Sequence, residues 1–258
     1  MTSNRRTRAA IELVSSWEIQ QEAYIPRREV RFELMLDMVA LVGSPASRPL
    51  RILDLACGPG SISARALKKF PDAEVVAIDI DPFLLRLGEL SQAPNPVQPT
   101  WVRGDLRERG WQDLLPHDEF DAVLSTTALH WLSGAELNHL YRDVHGLLRT
   151  GGLLLNGDHL PASRPWGRIT DLTAKIRETR MEAAMAQGAD DWERWWERAR
   201  AVEVFRPEME DHDRVFDGRE HQGTPSLALH HELMREAGFQ EIDLIWRDLN
   251  EGVLCALA

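Results

Sequence analysis

Cysteine and long apolar runs are both scarce in this 258-residue sequence. Its only cysteines, Cys57 and Cys255, are too few for a disulfide framework, which favours a reducing compartment. No stretch approaches the roughly 18 consecutive apolar residues that a membrane span needs. The basic beginning of the chain, MTSNRRTRAA, lacks the apolar segment of a secretory signal. We therefore expect a cytoplasmic protein with no membrane partner.

Positive charge is also in short supply. The chain has 30 lysine and arginine residues against 41 aspartate and glutamate residues, a formal net charge of -11. Proteins that follow a nucleic-acid backbone normally carry the opposite balance, so we expect no nucleic-acid partner. The length allows one large α/β domain or a domain with a cap, and a monomer or homodimer is expected.

Short apolar segments alternate with amphipathic segments between about residues 50 and 158. The predicted strands cover residues 51–56, 74–80, 99–105, 120–126 and 152–158. The predicted helices between them cover residues 61–70, 82–91, 107–115 and 134–149. Nearly continuous apolar strands separated by helices are typical of a parallel sheet covered on both faces. The fold class is therefore α/β, doubly wound and Rossmann-like.

The last part of the sequence departs from this alternation. Thr224 and Pro225 are predicted to open a helix that ends at Gly238. Apolar segments at 241–249 and 251–258 follow, with hardly a residue between them. Strands this close in sequence can pair only as an antiparallel hairpin. The prediction is a seven-stranded sheet that is mostly parallel, with an antiparallel last strand.

Two segments outside this core are predicted to be helical. Apolar residues recur at helical spacing in residues 162–223, in two stripes: Ile169, Leu172 and Ile176, then Trp192, Trp195, Trp196, Ala199 and Val202. These stripes indicate either a helical lid over a ligand site or packing against the sheet edge. The N-terminal segment places four apolar residues on one predicted helical face: Val30, Leu34, Met38 and Leu41. The predicted organisation is an N-terminal helical segment, a cofactor-binding core, a helical lid insertion and a completing C-terminal unit, at residues 1–48, 49–161, 162–223 and 224–258.

A glycine-containing turn follows the first predicted strand in LDLACGPGS. Gly58 and Gly60 allow positive φ and let a ligand lie directly against the backbone. Asp79 comes 21 residues after Gly58, at the end of the second predicted strand, where an acid can hold the hydroxyls of a ribose. Ser63 occupies the third position of the dinucleotide fingerprint G-x-G-x-x-G, which disfavours a dinucleotide. The triphosphate-binding loop G-x-x-x-x-G-K-[ST] is absent from the sequence.

Several segments together resemble successive motifs of one enzyme family: LDLACGPGS, AIDIDP, RGD, FDAVLSTTALHWL, LLRTGGLLL and MREAGFQEIDLIW. In order and spacing, they resemble the class I S-adenosylmethionine-dependent methyltransferases of the small-molecule type. The resemblance covers about residues 50–160 and 225–258. The chain departs from the family pattern at Ala56, where glycine is common, and at Thr150, where proline often precedes the two glycines. Alanine should be tolerated at position 56 if its φ is negative, and Thr150 is expected to lie away from the ligand.

The resemblance implies S-adenosylmethionine as the cofactor, and it implies a role for the turn and the acid. Gly58 and Gly60, with the backbone of Ala56 and Cys57, would lie along the methionine and ribose portions. Asp79 would bind the ribose hydroxyls. Cys57 is expected to be a small filler rather than a nucleophile.

The following strand ends would complete the cofactor site. By the same resemblance, Ile80 would pack on the adenine, Asp105 would accept from the adenine amino group, and the N–H of Leu106 would donate to a ring nitrogen. The backbone carbonyls of Ser125 and Thr126 would meet the methionine ammonium.

The N-terminal segment commonly closes over the cofactor in this family. A buried carboxylate requires a cation or hydrogen-bond donors, so Tyr24, Arg27 or Arg28 could pair with the methionine carboxylate. Solvated surface arginines are the alternative. Arg28 is the cofactor-binding candidate among the three.

His130 is the candidate catalytic residue. It lies in TTALHWL, and similar His-Trp pairs occur in small-molecule methyltransferases that act on carboxylic acids. Its N–H could hold one carboxylate oxygen, or the ring could act as a base toward a hydroxyl; a hydrogen bond to a loop carbonyl is the structural alternative. Asp158 and His159 are second candidates. The remaining histidines show no zinc pattern, so no metal is expected.

These inferences predict methyl transfer to a small, partly apolar acceptor, of the kind found in secondary metabolism. O-methylation of a carboxylate or hydroxyl leads, followed by N- or C-methylation. A domain that binds the cofactor without transferring the methyl group is the alternative from another class. An NAD-dependent oxidoreductase is the third hypothesis.

Overall fold

A seven-stranded sheet forms the centre of the computed structural model, which describes residues 2–25, 27–161, 167–219 and 223–258. Its strands are β1 (Arg51–Leu55), β2 (Glu74–Asp79), β3 (Thr100–Arg103), β4 (Phe120–Thr126), β5 (Leu148–His159), β6 (Glu241–Asp248) and β7 (Glu251–Leu257). Their order is β3-β2-β1-β4-β5-β7-β6. The first five strands are parallel, and β7 runs antiparallel to both β5 and β6. The predicted doubly wound sheet with an antiparallel last strand is confirmed.

Helices cover both faces of this sheet. They are α1 (Thr2–Tyr24), α2 (Arg28–Val42), α3 (Ser61–Lys69), α4 (Pro82–Gln92), α5 (Gly134–Leu147), α6 (Arg168–Ala186), α7 (Trp192–Arg200), α8 (Arg206–Phe216) and α9 (Leu227–Ala237). One apolar core lies between the sheet and α5 with α9, and a second lies between the sheet and α2 with α3. Successive strand residues such as Ile52 and Leu53 enter opposite cores, which is why the strands read as continuous apolar runs.

A third apolar cluster joins α1, α4 and α7 beside the sheet. Trp195 is fully buried there, against the edge of the Trp17 ring, with 4.8 Å between centroids. The Trp195 stripe therefore packs on α1 and α4. The other predicted stripe is different, because Ile169, Leu172 and Ile176 of α6 are exposed. Parts of the predicted insertion, residues 162–166 and 220–222, lie outside the described residues.

Helix ends agree with the sequence at some positions and not at others. Asp81, which directly precedes the predicted helix at 82–91, is the N-cap of α4: its Oδ1 accepts from the backbone N–H of Phe83 at 2.9 Å and of Leu84 at 3.2 Å. Gly238 ends α9 as predicted, with φ 114. The start of α9 was predicted two residues too early, because Ser226 is the residue whose side chain caps it.

Two local predictions were wrong. The helix predicted at residues 107–115 is a single 3-10 turn, Trp111–Leu114, whose buried tryptophan anchors an otherwise irregular connection. The predicted apolar face of α2 is also wrong, since Val30 is 42% and Leu41 83% exposed. The buried face instead carries the larger apolar residues Phe32, Met35, Leu36 and Val39, together with Arg28 and Arg31. Two buried arginines with ion partners made this face look polar in the sequence.

Candidate cofactor and acceptor site

A cavity of about 890 Å³ opens at the carboxyl ends of the parallel strands. Loops after β1, β2, β3 and β4 form its floor, and residues of α1, α7 and α8 form its walls. Open parallel sheets bind ligands at this edge because all the following loops converge there. Most of the site residues predicted from the sequence line this one cavity: Arg28, Ala56, Cys57, Gly58, Asp79, Ile80, Asp105, Leu106, Thr126 and His130.

The turn after β1 has three residues in the left-handed region. Ala56 has φ 50, Gly58 has φ 54 and Gly60 has φ 79. The condition of negative φ at Ala56 is therefore not met: the tight turn requires this conformation even though a Cβ makes it unfavourable. A Cβ on Gly58 would have no contact closer than 3.8 Å, to Leu84, so the turn leaves room for a ligand.

Gly60 serves packing rather than the cavity. A Cβ at this position would lie 2.5 Å from Cη2 of Trp101, closer than two carbon atoms can approach. Gly60, which the resemblance placed along the cofactor, is not among the residues that line the cavity. The glycine allows the turn to lie against the Trp101 ring, which holds Gly58 in place at the cavity surface.

The Asp79 carboxylate ties this turn to the end of β2. Its Oδ2 accepts from the Gly58 N–H at 2.7 Å, and its Oδ1 accepts from the Asp81 N–H at 2.8 Å. Burial, followed by the negative charge of Asp81, raises the pKa of Asp79 to about 6. Each carboxylate oxygen still has lone-pair capacity toward the cavity that Asp79 lines. The arrangement suits a pair of hydroxyl donors such as those of a ribose.

The loop after β3 contributes a second carboxylate. Asp105 accepts from the Arg107 N–H at 3.1 Å through Oδ1, while its Oδ2 pairs with Nη2 of Arg219 at 2.9 Å. Arg219 follows α8, so the chain segment after that helix reaches the wall where adenine is expected. Ile80 and Leu106 lie on the same side of the cavity.

The ends of β1 and β4 lie side by side next to this turn. Thr126 lines the cavity, whereas the buried Ser125 directs its hydroxyl to the Leu55 carbonyl at 3.1 Å. Burial and the nearby acids raise the pKa of the Cys57 thiol well above its usual value, so it remains a thiol at neutral pH. This agrees with the expected filler role of Cys57.

Arg28 lies at the start of α2 and reaches the cavity almost completely buried. Its Nη1 donates to Oε2 of Glu18 at 2.7 Å, and its guanidinium lies 4.6 Å from the centroid of the Phe32 ring. Tyr24 uses its hydroxyl to accept the N–H of Trp192 at 3.0 Å, joining α1 to α7. Arg27 is largely exposed, at 59% of its side chain, and lies 3.9 Å from Asp248.

His130 lines the cavity, and the buried carboxylate of Asp158 lies behind it. The backbone N–H of His130 donates to Oδ2 of Asp158 at 2.9 Å, and the ring atom Nδ1 lies 2.7 Å from Oδ1 of the same carboxylate. Burial would raise the pKa of Asp158, but the charge of His130 and its hydrogen bond lower it to about 2. Asp158 is therefore a carboxylate at neutral pH and fixes the proton of His130 on Nδ1, which aims the ring at the cavity.

A protein-family model described as a methyltransferase domain matches residues 52–152, the part of the chain that carries the turn, Asp79, Asp105 and His130. The chain therefore contains a methyltransferase domain over residues 52–152. The strand order and the antiparallel β7 agree with the sheet that the sequence predicted, which is mostly parallel with an antiparallel last strand.

Several curated proteins named as methyltransferases are similar to this chain. An uncharacterized methyltransferase of Mycobacterium tuberculosis (strain H37Rv) is 30% identical over 57% of this chain and 61% of the relative. The trans-aconitate 2-methyltransferase of Azoarcus sp. is 30% identical over 54% of this chain and 49% of the relative. The match thus spans less than two thirds of either relative. The solved S-adenosylmethionine-dependent methyltransferase SibL shares the fold, with a TM-score of 0.53 and 17% identity over 84% of this chain and 53% of SibL.

An ion network that the sequence did not reveal supports the loop of His130. Arg31 is fully buried and donates through Nη2 to Oγ1 of Thr127 at 2.6 Å, while its Nη1 lies 3.4 Å from Oε2 of Glu251. The other oxygen of Glu251 binds Nδ1 of His159. The signal in the sequence was the size of the apolar residues on this face of α2: Arg31 shares the face with Phe32 and Met35, which places it in the interior.

Aromatic side chains form the wall opposite the polar groups. Trp17, Trp192, Trp196 and Phe216 all line the cavity. The rings of Trp17 and Trp192 lie 5.7 Å apart, and Trp196 stacks on His212 at 4.4 Å. Such a wall suits a ligand with apolar surface.

Neither a metal cluster nor a spanning helix is found in the part of the chain that the structure describes. No group of three or more His, Cys, Asp or Glu side chains there could hold a metal ion. No described helix of the chain has the length and apolar character to cross a bilayer.

Proposed function

We propose that this protein catalyses the O-methylation of a carboxylate or hydroxyl on a small, partly apolar acceptor, with S-adenosylmethionine as methyl donor. The observation that carries the proposal is His130, which lines the same cavity as the turn after β1 and is held by the buried carboxylate of Asp158. A polar pair beside a cofactor cradle and an aromatic wall can orient one oxygen nucleophile.

The proposed cofactor fits the residues at the strand ends. S-adenosylmethionine supplies a methyl group already activated by its sulfonium. Asp79 would hold the ribose hydroxyls and Asp105 the adenine amino group, with Ile80 and Leu106 around the adenine ring. The open surface at Gly58 leaves backbone for the methionine portion.

The other methionine contacts come from three elements. Backbone of Ala56 and Cys57 would lie along the amino-acid portion, and the carbonyl of Thr126 would meet its ammonium. The buried guanidinium of Arg28, already paired with Glu18, would lie near its carboxylate. Because Glu18 shares that cation, the Arg28 contact would be a shared ion pair rather than an isolated one.

Methyl transfer depends mainly on positioning. The acceptor oxygen must approach the methyl carbon in line, at about 3–3.5 Å, and a site closed to water favours the loss of charge that follows. The acceptor oxygen forms the new bond to carbon as the carbon–sulfur bond breaks, and the bonding electron pair stays on sulfur. We propose that the described parts of the N-terminal segment and of the insertion, chiefly α1, α7 and α8, close the cavity over both ligands.

His130 has a defined part in either case. For a carboxylate acceptor, the ring would carry both protons: Nδ1–H would stay on Asp158, and Nε2–H would hold one acceptor oxygen and turn the other toward the methyl group. For a hydroxyl acceptor, the neutral ring would remove the proton, with Asp158 stabilising the resulting imidazolium. The names of the trans-aconitate relatives favour the carboxylate case for this chain.

The proposal is tested by incubating the protein with methyl-labelled S-adenosylmethionine and matched sets of acids, phenols, alcohols and amines. Label that mild base releases identifies a methyl ester, because ethers and N- or C-methyl products resist that treatment. Transfer only to nitrogen or carbon would replace the proposal by the N- or C-methylation alternative. The His130→Ala variant is the control for the site.

Binding separates the remaining alternatives. Stabilisation by S-adenosylhomocysteine in a melting assay, with no transfer to any acceptor, would indicate a domain that binds without methylating. Stabilisation by NADH and not by S-adenosylhomocysteine would contradict the proposed cofactor.

A further inference from the structure

His159, the last residue of β5, lies next to His130 at the cavity surface. It lines the cavity with 26% of its side chain exposed, and its ring centroid lies 4.9 Å from that of His130. Its Nδ1 is bound by Oε1 of Glu251, which is almost fully buried. The site thus contains two adjacent imidazoles, each held through Nδ1 by its own carboxylate.

The charges around His159 favour its cationic form. Glu251 bonds its ring, and Asp158 accepts its backbone N–H at 2.8 Å. Arg31 neutralises part of the Glu251 charge from α2, and Arg177 of α6 also opposes protonation. Burial lowers the pKa of His159, but the hydrogen bond and charge of Glu251 outweigh burial and the arginines, so the pKa lies above its usual 6.5.

We propose that His159 is the specificity-determining residue for the acceptor: its imidazolium binds the carboxylate that is methylated, next to His130. This inference rests on the function proposed above and decides between its two oxygen acceptors in favour of the acid. The cation would hold one carboxylate oxygen and leave the other free to face the methyl group.

The reaction then changes the attraction between His159 and the ligand. Before transfer, a carboxylate faces the imidazolium. One oxygen lone pair forms the bond to carbon, the carbon–sulfur bond breaks toward sulfur, and no proton needs to leave. The product is a neutral ester that makes no ion pair with His159. Transfer would therefore weaken binding of the product relative to the substrate, which favours its release.

A matched pair of variants tests this role. His159→Gln keeps a hydrogen-bond donor of similar size but removes the charge, and His139→Gln makes the same change at an exposed histidine of α5. The probes are benzoate, phenylacetate and decanoate, each compared with its amide. For acids that are methylated, we expect KM to rise about tenfold or more in His159→Gln, as for loss of one charged hydrogen bond. The affinity for S-adenosylhomocysteine should stay within a factor of two or so of the parent in both variants.

The pH profile gives a readout that a merely structural role would not move. For an acid acceptor, kcat/KM should fall at alkaline pH, as His159 loses its proton, and this limb should be missing in His159→Gln. In Glu251→Gln the limb should move to lower pH, because the neighbouring negative charge is lost. A histidine titration by NMR on the cofactor-free protein should give the same order of midpoints without any turnover.

The outcomes separate this inference from the proposed function. Acid methylation with an unchanged KM in His159→Gln would overturn the role of His159 and leave O-methylation standing. A His159 midpoint below 6.5 in the parent protein would overturn it as well. If the parent methylates none of the probes, the same acids are titrated by NMR with S-adenosylhomocysteine present. Shifts at His159 with the acids and not with the amides would support the inference; their absence would refute it.

Discussion

Replacing Asp79 by asparagine tests the proposed ribose contact. Both carboxylate oxygens already accept backbone N–H groups, from Gly58 at 2.7 Å and from Asp81 at 2.8 Å. An asparagine amide must therefore place its NH₂ group against one of these donors, whichever way it turns. The variant loses a charged hydrogen bond to the cofactor, which costs about 1.5–3 kcal/mol, or roughly 10- to 150-fold in Kd.

The assay is calorimetric titration with S-adenosylhomocysteine at several pH values. Because the pKa of Asp79 is raised to about 6 in the cofactor-free protein, the carboxylate that accepts the hydroxyls is lost as the pH falls through 6. The affinity of the parent protein should therefore decrease from pH 8 to pH 5, while that of Asp79→Asn should change less. The free energy of unfolding depends on pH in the opposite direction. Because the pKa of Asp79 is raised by folding, its ionisation above pH 6 lowers the free energy of unfolding, and this loss is recovered as the pH falls below 6.

Asp81→Asn is the matched control for charge near the turn. An asparagine there can still cap α4 through its oxygen and face His212 through its NH₂ group, so only the charge changes. We expect a smaller loss of affinity than for Asp79→Asn. Equal Kd values for Asp79→Asn and the parent protein at pH 8 would refute the ribose assignment.

Three further substitutions test other parts of the site. Ala56→Gly should raise the unfolding free energy by about 0.5–1 kcal/mol in a denaturant titration, because glycine removes the strain of positive φ at a smaller entropic cost. His130→Ala should lower kcat by roughly 10²-fold or more with cofactor affinity preserved, and full activity would reduce His130 to a packing role. Arg31→Met should lower the unfolding free energy by about 3–5 kcal/mol, since it leaves buried Glu251 without its arginine; a loss below about 1 kcal/mol would contradict that pairing.

The sheet could be predicted from the sequence because its strands are short apolar runs bounded by turns. The same pattern located the Gly58 turn and Asp79, since the spacing between them reflects one strand–helix–strand unit. The positive φ of Ala56 could not be predicted from the sequence, because alanine by itself favours negative φ and the tight turn overrides that preference. The segment at 107–115 misled the helix prediction because one large anchor, Trp111, is enough to hold an irregular connection.

Contacts between distant segments were out of reach of the sequence. Arg31, Glu251 and His159 come from α2, β7 and β5, and no local periodicity brings them together. Arg219 and Asp105 likewise meet only because the segment after α8 returns to the loop after β3. The sequence indicated where strands end, but it could not indicate which buried charges face each other across the helices.

The position of β7 sets an order for assembly during synthesis. This strand comes after β6 in the chain but is inserted between β5 and β6, so the sheet stays open at that side until residues 251–257 leave the ribosome. Glu251, its first residue, supplies the partner of His159 and Arg31. A nascent chain that ends before residue 251 would contain the Gly58 turn and Asp79, but it would lack the carboxylate that His159 and Arg31 share.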